Sequence, residues 1–304
     1  MANNMIYHYT SIDSFVGMIE NSRRSNDKKN LVFWASSIFA MNDPLEFQHG
    51  IELINSLANE YENEKQINDV YRLSTSFADE LTLCPFFKST DILLDRFFIN
   101  PPKTPFVISF SGNEDDLAMW NLYGDKGKGV CLHFSEDIPP FTETDSIISR
   151  HLMDVDYSND IKNNVKLYSL FEQIFNEFLI SLKKKRNIGE LHVHRCWSMA
   201  RLYHFLCPFL KHHKYENERE VRISGLPINL DAIRYRTRNG NIIPYVEVQI
   251  NIRHLKGITI GPCCDFECVK RGINHILYMI DLNKDPLTQE DLPIIRSSVP
   301  YRLL

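Results

Sequence analysis

Glycine is scarce in this chain, with twelve in 304 residues. A Gly-rich phosphate cradle, the G-x-G-x-x-G of dinucleotide-binding turns and the G-x-S-x-G elbow of α/β hydrolases are therefore not expected, and none is found. No run approaches the roughly 20 apolar residues that span a bilayer. The first residues, "MANNMIYHYT", lack a basic segment followed by an apolar one, so no secretory signal is read there. Seven cysteines form no regular framework, as expected of reduced thiols in a cytoplasmic protein. "HVHRC" (His192, His194, Cys196) and "CCDFEC" (Cys263, Cys264, Cys268) do not match structural zinc spacings, and no metal is expected. The formal net charge of −5 argues against a broad nucleic-acid surface but leaves room for a local basic groove. No membrane partner is implied, and the oligomeric state is left open.

What is present is ordinary globular composition, 43% apolar and 24% charged, in a chain long enough to bury a large core. "MIYHYTS" reads as a strand entering a helix capped by Ser11 or Asp13, with Phe15, Met18 and Ile19 inward. "LVFWAS", "FVISFS", "VCLHF", "EVRIS", "IPYVEVQI" and "GITIG" read as strands. "NDPLE" is a turn set by Pro44, and "GDKGKG" is expected to be a flexible one. Leu167, Leu170, Phe171, Ile174, Phe175, Phe178 and Leu182 recur at helical spacing over about 164–186. A second helix is predicted from Arg195, and another over 265–279. Strands and helices interleave without regular βαβ spacing. This predicts one α+β domain over 1–304 with a bent mixed sheet and a helical insertion at about 160–212.

Polar clusters fall at strand ends, where a rigid frame can hold a binding residue. His8, between Tyr7 and Tyr9, is either a half-buried structural histidine or a ligand contact. Asn42, Asp43 and Glu46 form an acidic corner. Asp115 and Asp116 sit where a helix N-terminus favours negative charge. Trp120 and Tyr123 share a helical face, a spacing common in cores. Strand alternation puts Glu218, Glu220 and Arg222 on one face, toward solvent or a cleft, with Arg219 and Val221 opposite. Arg236 and Arg238 in "YRTRNG" could hold phosphate or a nucleic-acid backbone.

The ordered series "YHYTS", "WASSIFAMNDPLE", "FVISFSGNEDDLAMWNLYG", "GVCLHF", "YENEREVRI", "YRTRNGNIIPYVEV", "ITIGP" and "SSVPYR" resembles a widespread bacterial family known only as a domain of unknown function. More distantly, the opening histidine strand and "SFVGMI" helix resemble ADP-ribosyltransferases. That resemblance implies an ADP-ribosyltransferase-like core, NAD as co-substrate and a defence or toxin role. By position, His8 would contact ribose and Glu220, or Glu218, would be the catalytic carboxylate. Trp34 or Ser36 would line the nicotinamide pocket, with Tyr7, Thr10, Asn42 and Arg222 on the cofactor side. Asp43, Glu46, Ser111, Trp120, Arg236 and Arg238 would face the acceptor substrate. Two other classes are weighed. One is a nucleotide- or nucleic-acid-sensing module without turnover; the other is a metal-dependent hydrolase on Asp43, Glu46, Asp115 and Asp116.

Overall fold

The computed structural model describes residues 5–24, 30–43, 45–67, 72–73, 104–138, 147–182, 188–228, 230–238, 240–279 and 292–301. Among these, the helices are α1 (Ile12–Arg24), α2 (Glu46–Glu64), α3 (Leu117–Leu122), α4 (Val165–Leu182), α5 (Ile188–Leu206) and α6 (Phe266–Met279). The strands are β1 (Met5–Thr10), β2 (Asn30–Ser37), β3 (Phe106–Ser111), β4 (Val130–Ser135), β5 (Ile147–Asp154), β6 (Glu220–Pro227), β7 (Arg234–Arg238), β8 (Asn241–Asn251), β9 (Leu255–Ile260) and β10 (Ile294–Arg296).

All ten strands join one mixed sheet in the order β10-β9-β4-β1-β3-β2-β8-β7, from which β6 and β5 branch at β3. The β9–β10 pair is parallel and the rest are antiparallel. The expected α+β class with a bent mixed sheet is what the chain adopts.

Two large cores hold the layers together, beside a smaller cluster of Tyr7, Tyr9, Met119, Trp120 and Cys131. On one side Phe15, Met18 and Ile19 of α1 and Ile273 and Leu277 of α6 pack with Phe33, Phe110, Phe134 and Val248. On the other, Phe47, Ile54 and Tyr61 of α2 meet Phe171, Phe175 and Phe178 of α4 and Leu202 of α5. The helical spacing read from Leu167 to Leu182 is thus the buried stripe of α4. Each large apolar side chain buried this way contributes about 1.5–3 kcal/mol. Gly50 lets α2 approach the end of α5, since a Cβ there would lie 3.0 Å from Cys207. The basic run at 183–186 and most of 84–105 lie outside the described residues, as do the side chains of His192, His194 and Cys196. No helix among the described residues is long and apolar enough to cross a membrane.

Three strands are absent from the sequence reading: β5, β7 and β10. The "GDKGKG" segment is a packed turn, contrary to expectation. A Cβ on Gly129 would lie 2.1 Å from the Thr10 carbonyl oxygen, and Gly127 adopts φ +80° beside Tyr301. Asp125 and Lys126 also take positive φ, 51° and 53°, a strained conformation for non-glycine residues.

Candidate functional site

The branch at β3 creates the site. One edge of β3 pairs with β6 along its whole length, from Phe106↔Gly225 to Ser111↔Glu220. The other edge is shared. β1 meets it only at Tyr7↔Ser111, and β2 only at Ser36↔Val107 and Ser37↔Phe106. Between those contacts the sheet is split, and a cavity of about 750 Å³ opens over the gap.

His8 fills the position that a strand would otherwise occupy. Its Nδ1 lies 2.9 Å from the Ser109 carbonyl oxygen. A carbonyl only accepts, so Nδ1 carries the proton and Nε2 is the acceptor. The ring stands edge-on to Phe33 at 5.1 Å and tilted against Phe110 at 5.6 Å. Burial pushes its pKa down to about 4, against the opposing effect of the Ser109 bond. His8 is therefore a neutral acceptor at physiological pH.

Across the gap lies a group of buried charges. Arg219 turns the chain with φ +42°, which brings Glu218 off a 3₁₀ turn and Glu220 onto the start of β6. Lys211 Nζ sits 2.6 Å from Glu218 Oε2 and 2.9 Å from Glu220 Oε2. Arg222, fully buried, forks onto both carboxylate oxygens of Glu46 and also reaches the Pro208 carbonyl at 2.8 Å and Glu220 Oε2 at 2.6 Å. Burial raises the Glu220 pKa, but Arg222 and then Lys211 outweigh it, so the carboxyl is held below its usual range. Both ion-pair contacts use Oε2, and neither uses Oε1. Three carboxylates face two cations here, an excess of one negative charge in a buried place. Tyr123 donates to Glu218 Oε1 at 2.9 Å from the cavity wall.

The third wall comes from β2 and β7, backed by Tyr245 of β8. The Arg236 guanidinium lies 5.4 Å from the Trp34 ring centre and 5.8 Å from that of Tyr245, and donates to Ser36 Oγ at 2.8 Å. Arg238 and Thr237 complete this side of the cavity.

Of the residues singled out from sequence, Tyr7, His8, Thr10, Trp34, Ser36, Asn42, Glu46, Ser111, Glu220, Arg236 and Arg238 line the cavity. Glu218, Arg222, Asp43 and Trp120 do not. Trp120 is fully buried, donating from Nε1 to Asp115 at 2.8 Å, so it is a core residue and not a substrate contact. Arg222 is sealed from the cavity by the carboxylates that it pairs with. Asp43 caps its own turn through the Leu45 amide at 3.0 Å. Strand alternation puts only Glu220 and Arg222 on one face of β6; Glu218 ends the 3₁₀ turn before it and is brought beside them by the left-handed Arg219, and the group is buried under α2 and Lys211, with Glu220 reaching the cavity. Asp116 caps α3 through the Met119 amide, whereas Asp115 bonds Ser297 and Ser298. The four acids of the hydrolase reading are thus engaged at different places, and no metal-ligating cluster exists among the described residues. Sequence reasoning missed Lys211 and Ser109. The first was hidden in the polar run "KHHKYENE"; the second is recognised only once the split at β3 is seen.

No curated protein and no solved structure matches the chain. A family model described as a protein of unknown function (DUF2971) matches residues 119–223. That stretch runs from within α3 into β6, carrying Tyr123, Lys211, Glu218, Glu220 and Arg222 but not His8, Trp34 or Arg236, so the resemblance to a family of unknown function rests on the carboxylate side of the cavity.

Proposed function

We propose that the split-sheet cavity binds NAD and cleaves its nicotinamide–ribose bond, as an ADP-ribosyltransferase or a glycohydrolase. The observation that carries this reading is the pairing, across one gap, of a neutral histidine acceptor with an ionised carboxylate in a place of excess negative charge. In the reaction the C1′–N bond breaks and its electron pair leaves with neutral nicotinamide. Positive charge builds on the ribose ring. Glu220, itself buried, stabilises that charge. His8 Nε2 accepts from a ribose hydroxyl and fixes the sugar. A water or an acceptor nucleophile then takes C1′ and releases its proton to solvent.

The test is nicotinamide release from NAD by wild type and Glu220→Gln, with and without DNA, RNA and cell lysate. Release that falls by at least a hundredfold in the variant supports the reading. Absence of release under every condition, together with no NAD binding by calorimetry, overturns it. The rival sensing module draws on one feature: the ion pairs that hold Glu220 also tie β6 to α2. NAD binding without release, unchanged by Glu220→Gln, would favour that rival.

A further inference from the structure

Arg236 and Arg238 stand two residues apart on β7, about 6.6 Å along a strand, and no described carboxylate pairs with either. Arg234, on the same strand, shows the contrast: its Nε lies 3.6 Å from Glu247. Among the described residues, the Arg236 side chain has only the neutral Ser36 hydroxyl as a hydrogen-bond partner, and its Nε is buried without one. The two rings beside it fix the plane of the guanidinium, so its remaining donors are oriented before any ligand arrives. Two adjacent cations without counter-charge are unfavourable, and Arg238 is among the causes that lower the Arg236 pKa, after burial. Both arginines line the cavity that also holds His8 and Glu220.

We infer that Arg236, seated on Trp34 and Tyr245, and Arg238 form a subsite for the linked phosphates of a nucleoside diphosphate. The ligand then lies across the split with phosphates on the β7 side, its sugar over His8 and its far end at Glu220. Arginine forks match phosphate oxygens in bidentate geometry. Arg236 is half-buried in a cavity wall, not on an open face, and the chain is net negative. Both features favour a small nucleotide over a nucleic-acid backbone. This inference rests on the cavity proposed above but not on its chemistry.

The experiment is calorimetry on the full chain with ADP-ribose, inorganic pyrophosphate, adenosine and a single-stranded oligonucleotide. Wild type is expected to bind ADP-ribose and pyrophosphate but not adenosine at comparable concentration. Arg236→Gln should weaken ADP-ribose tenfold or more, and Arg238→Gln about threefold, in line with the loss of charge-assisted hydrogen bonds. Arg238 is exposed, so its variant reads the same subsite if Arg236→Gln does not fold. Unchanged ADP-ribose affinity in these variants, no binding of either phosphate ligand, or arginine-dependent binding of the oligonucleotide alone each overturns the inference. Arginine-dependent ADP-ribose binding without nicotinamide release would retain the subsite and reject the cleavage reaction; release independent of Arg236 would do the reverse.

Discussion

Replacing His8 tests the split sheet through its pH dependence. In the unfolded chain the imidazole titrates near 6.5, and in the fold burial holds it at about 4. As pH falls through 6.5 the unfolded chain binds a proton that the folded chain refuses, so stability falls. The loss continues until the folded group also protonates near pH 4. Between about pH 7.5 and about pH 5 this one group removes about 2 kcal/mol of stability. His8→Gln keeps an N–H for the Ser109 carbonyl but does not titrate. His133, His151 and His254 are also shifted down by burial, and they act equally in both proteins. The difference in unfolding free energy between wild type and variant, from urea titrations followed by tryptophan fluorescence, should therefore shrink by about 2 kcal/mol over that range. A difference that stays constant within about 0.5 kcal/mol would mean that His8 titrates normally in the fold. The neutral acceptor assigned to the cavity would then be wrong.

The buried charges give a second outcome. Arg222→Met leaves Glu46 and Glu220 without their shared cation and should cost about 3–5 kcal/mol in urea unfolding, with Glu46→Gln added to it recovering part of the loss. Glycine positions separate by space: Gly129→Ala should abolish soluble expression because the Thr10 carbonyl cannot move away, whereas Gly272→Ala, with nothing within 4 Å, should raise stability by about 0.5–1 kcal/mol. Asp115→Asn should lower thermal stability, and proteolysis should then reach residues 292–301 first, because Asp115 binds Ser297 and Ser298. The Asp115 carboxyl is held below its usual range because those bonds and the one from Trp120 together outweigh the raising effect of burial, so its contribution should fade as pH drops through that lowered value.

Much of the fold was legible because its elements obey a single period. The alternate residues Phe106, Ile108 and Phe110 of β3 and the stripe of α4 each face one core, and alternation or the three-and-four spacing reveals that directly. The missed strands fail that test for a physical reason. β7 carries three arginines and is mostly exposed, so it has no apolar face to read. β10 has only three residues, a length at which a period has no meaning.

The site was legible in part for the converse reason. His8, Trp34, Glu220 and Arg236 are chemically conspicuous wherever they fall, and the fold brings them to one cavity. Their burial was not legible, because charge in a sequence reads as solvent. Glu218, Glu220 and Arg222 look like a solvated strand face until Lys211, nine residues before Glu220, closes over them. A buried row of three acids against two bases is costly to maintain, and apolar side chains would serve packing alone as well. That group, with one more acid than base, sits at the Glu220 end of the split beside β3, with the neutral His8 near it and Arg236 and Arg238 on the β7 wall. A ligand that brings or develops positive charge at Glu220 would balance the extra acid. Cleavage of a nicotinamide–ribose bond places that charge at the ribose C1′, which is why the buried acid excess, more than any single residue, points the reading toward chemistry at this cavity.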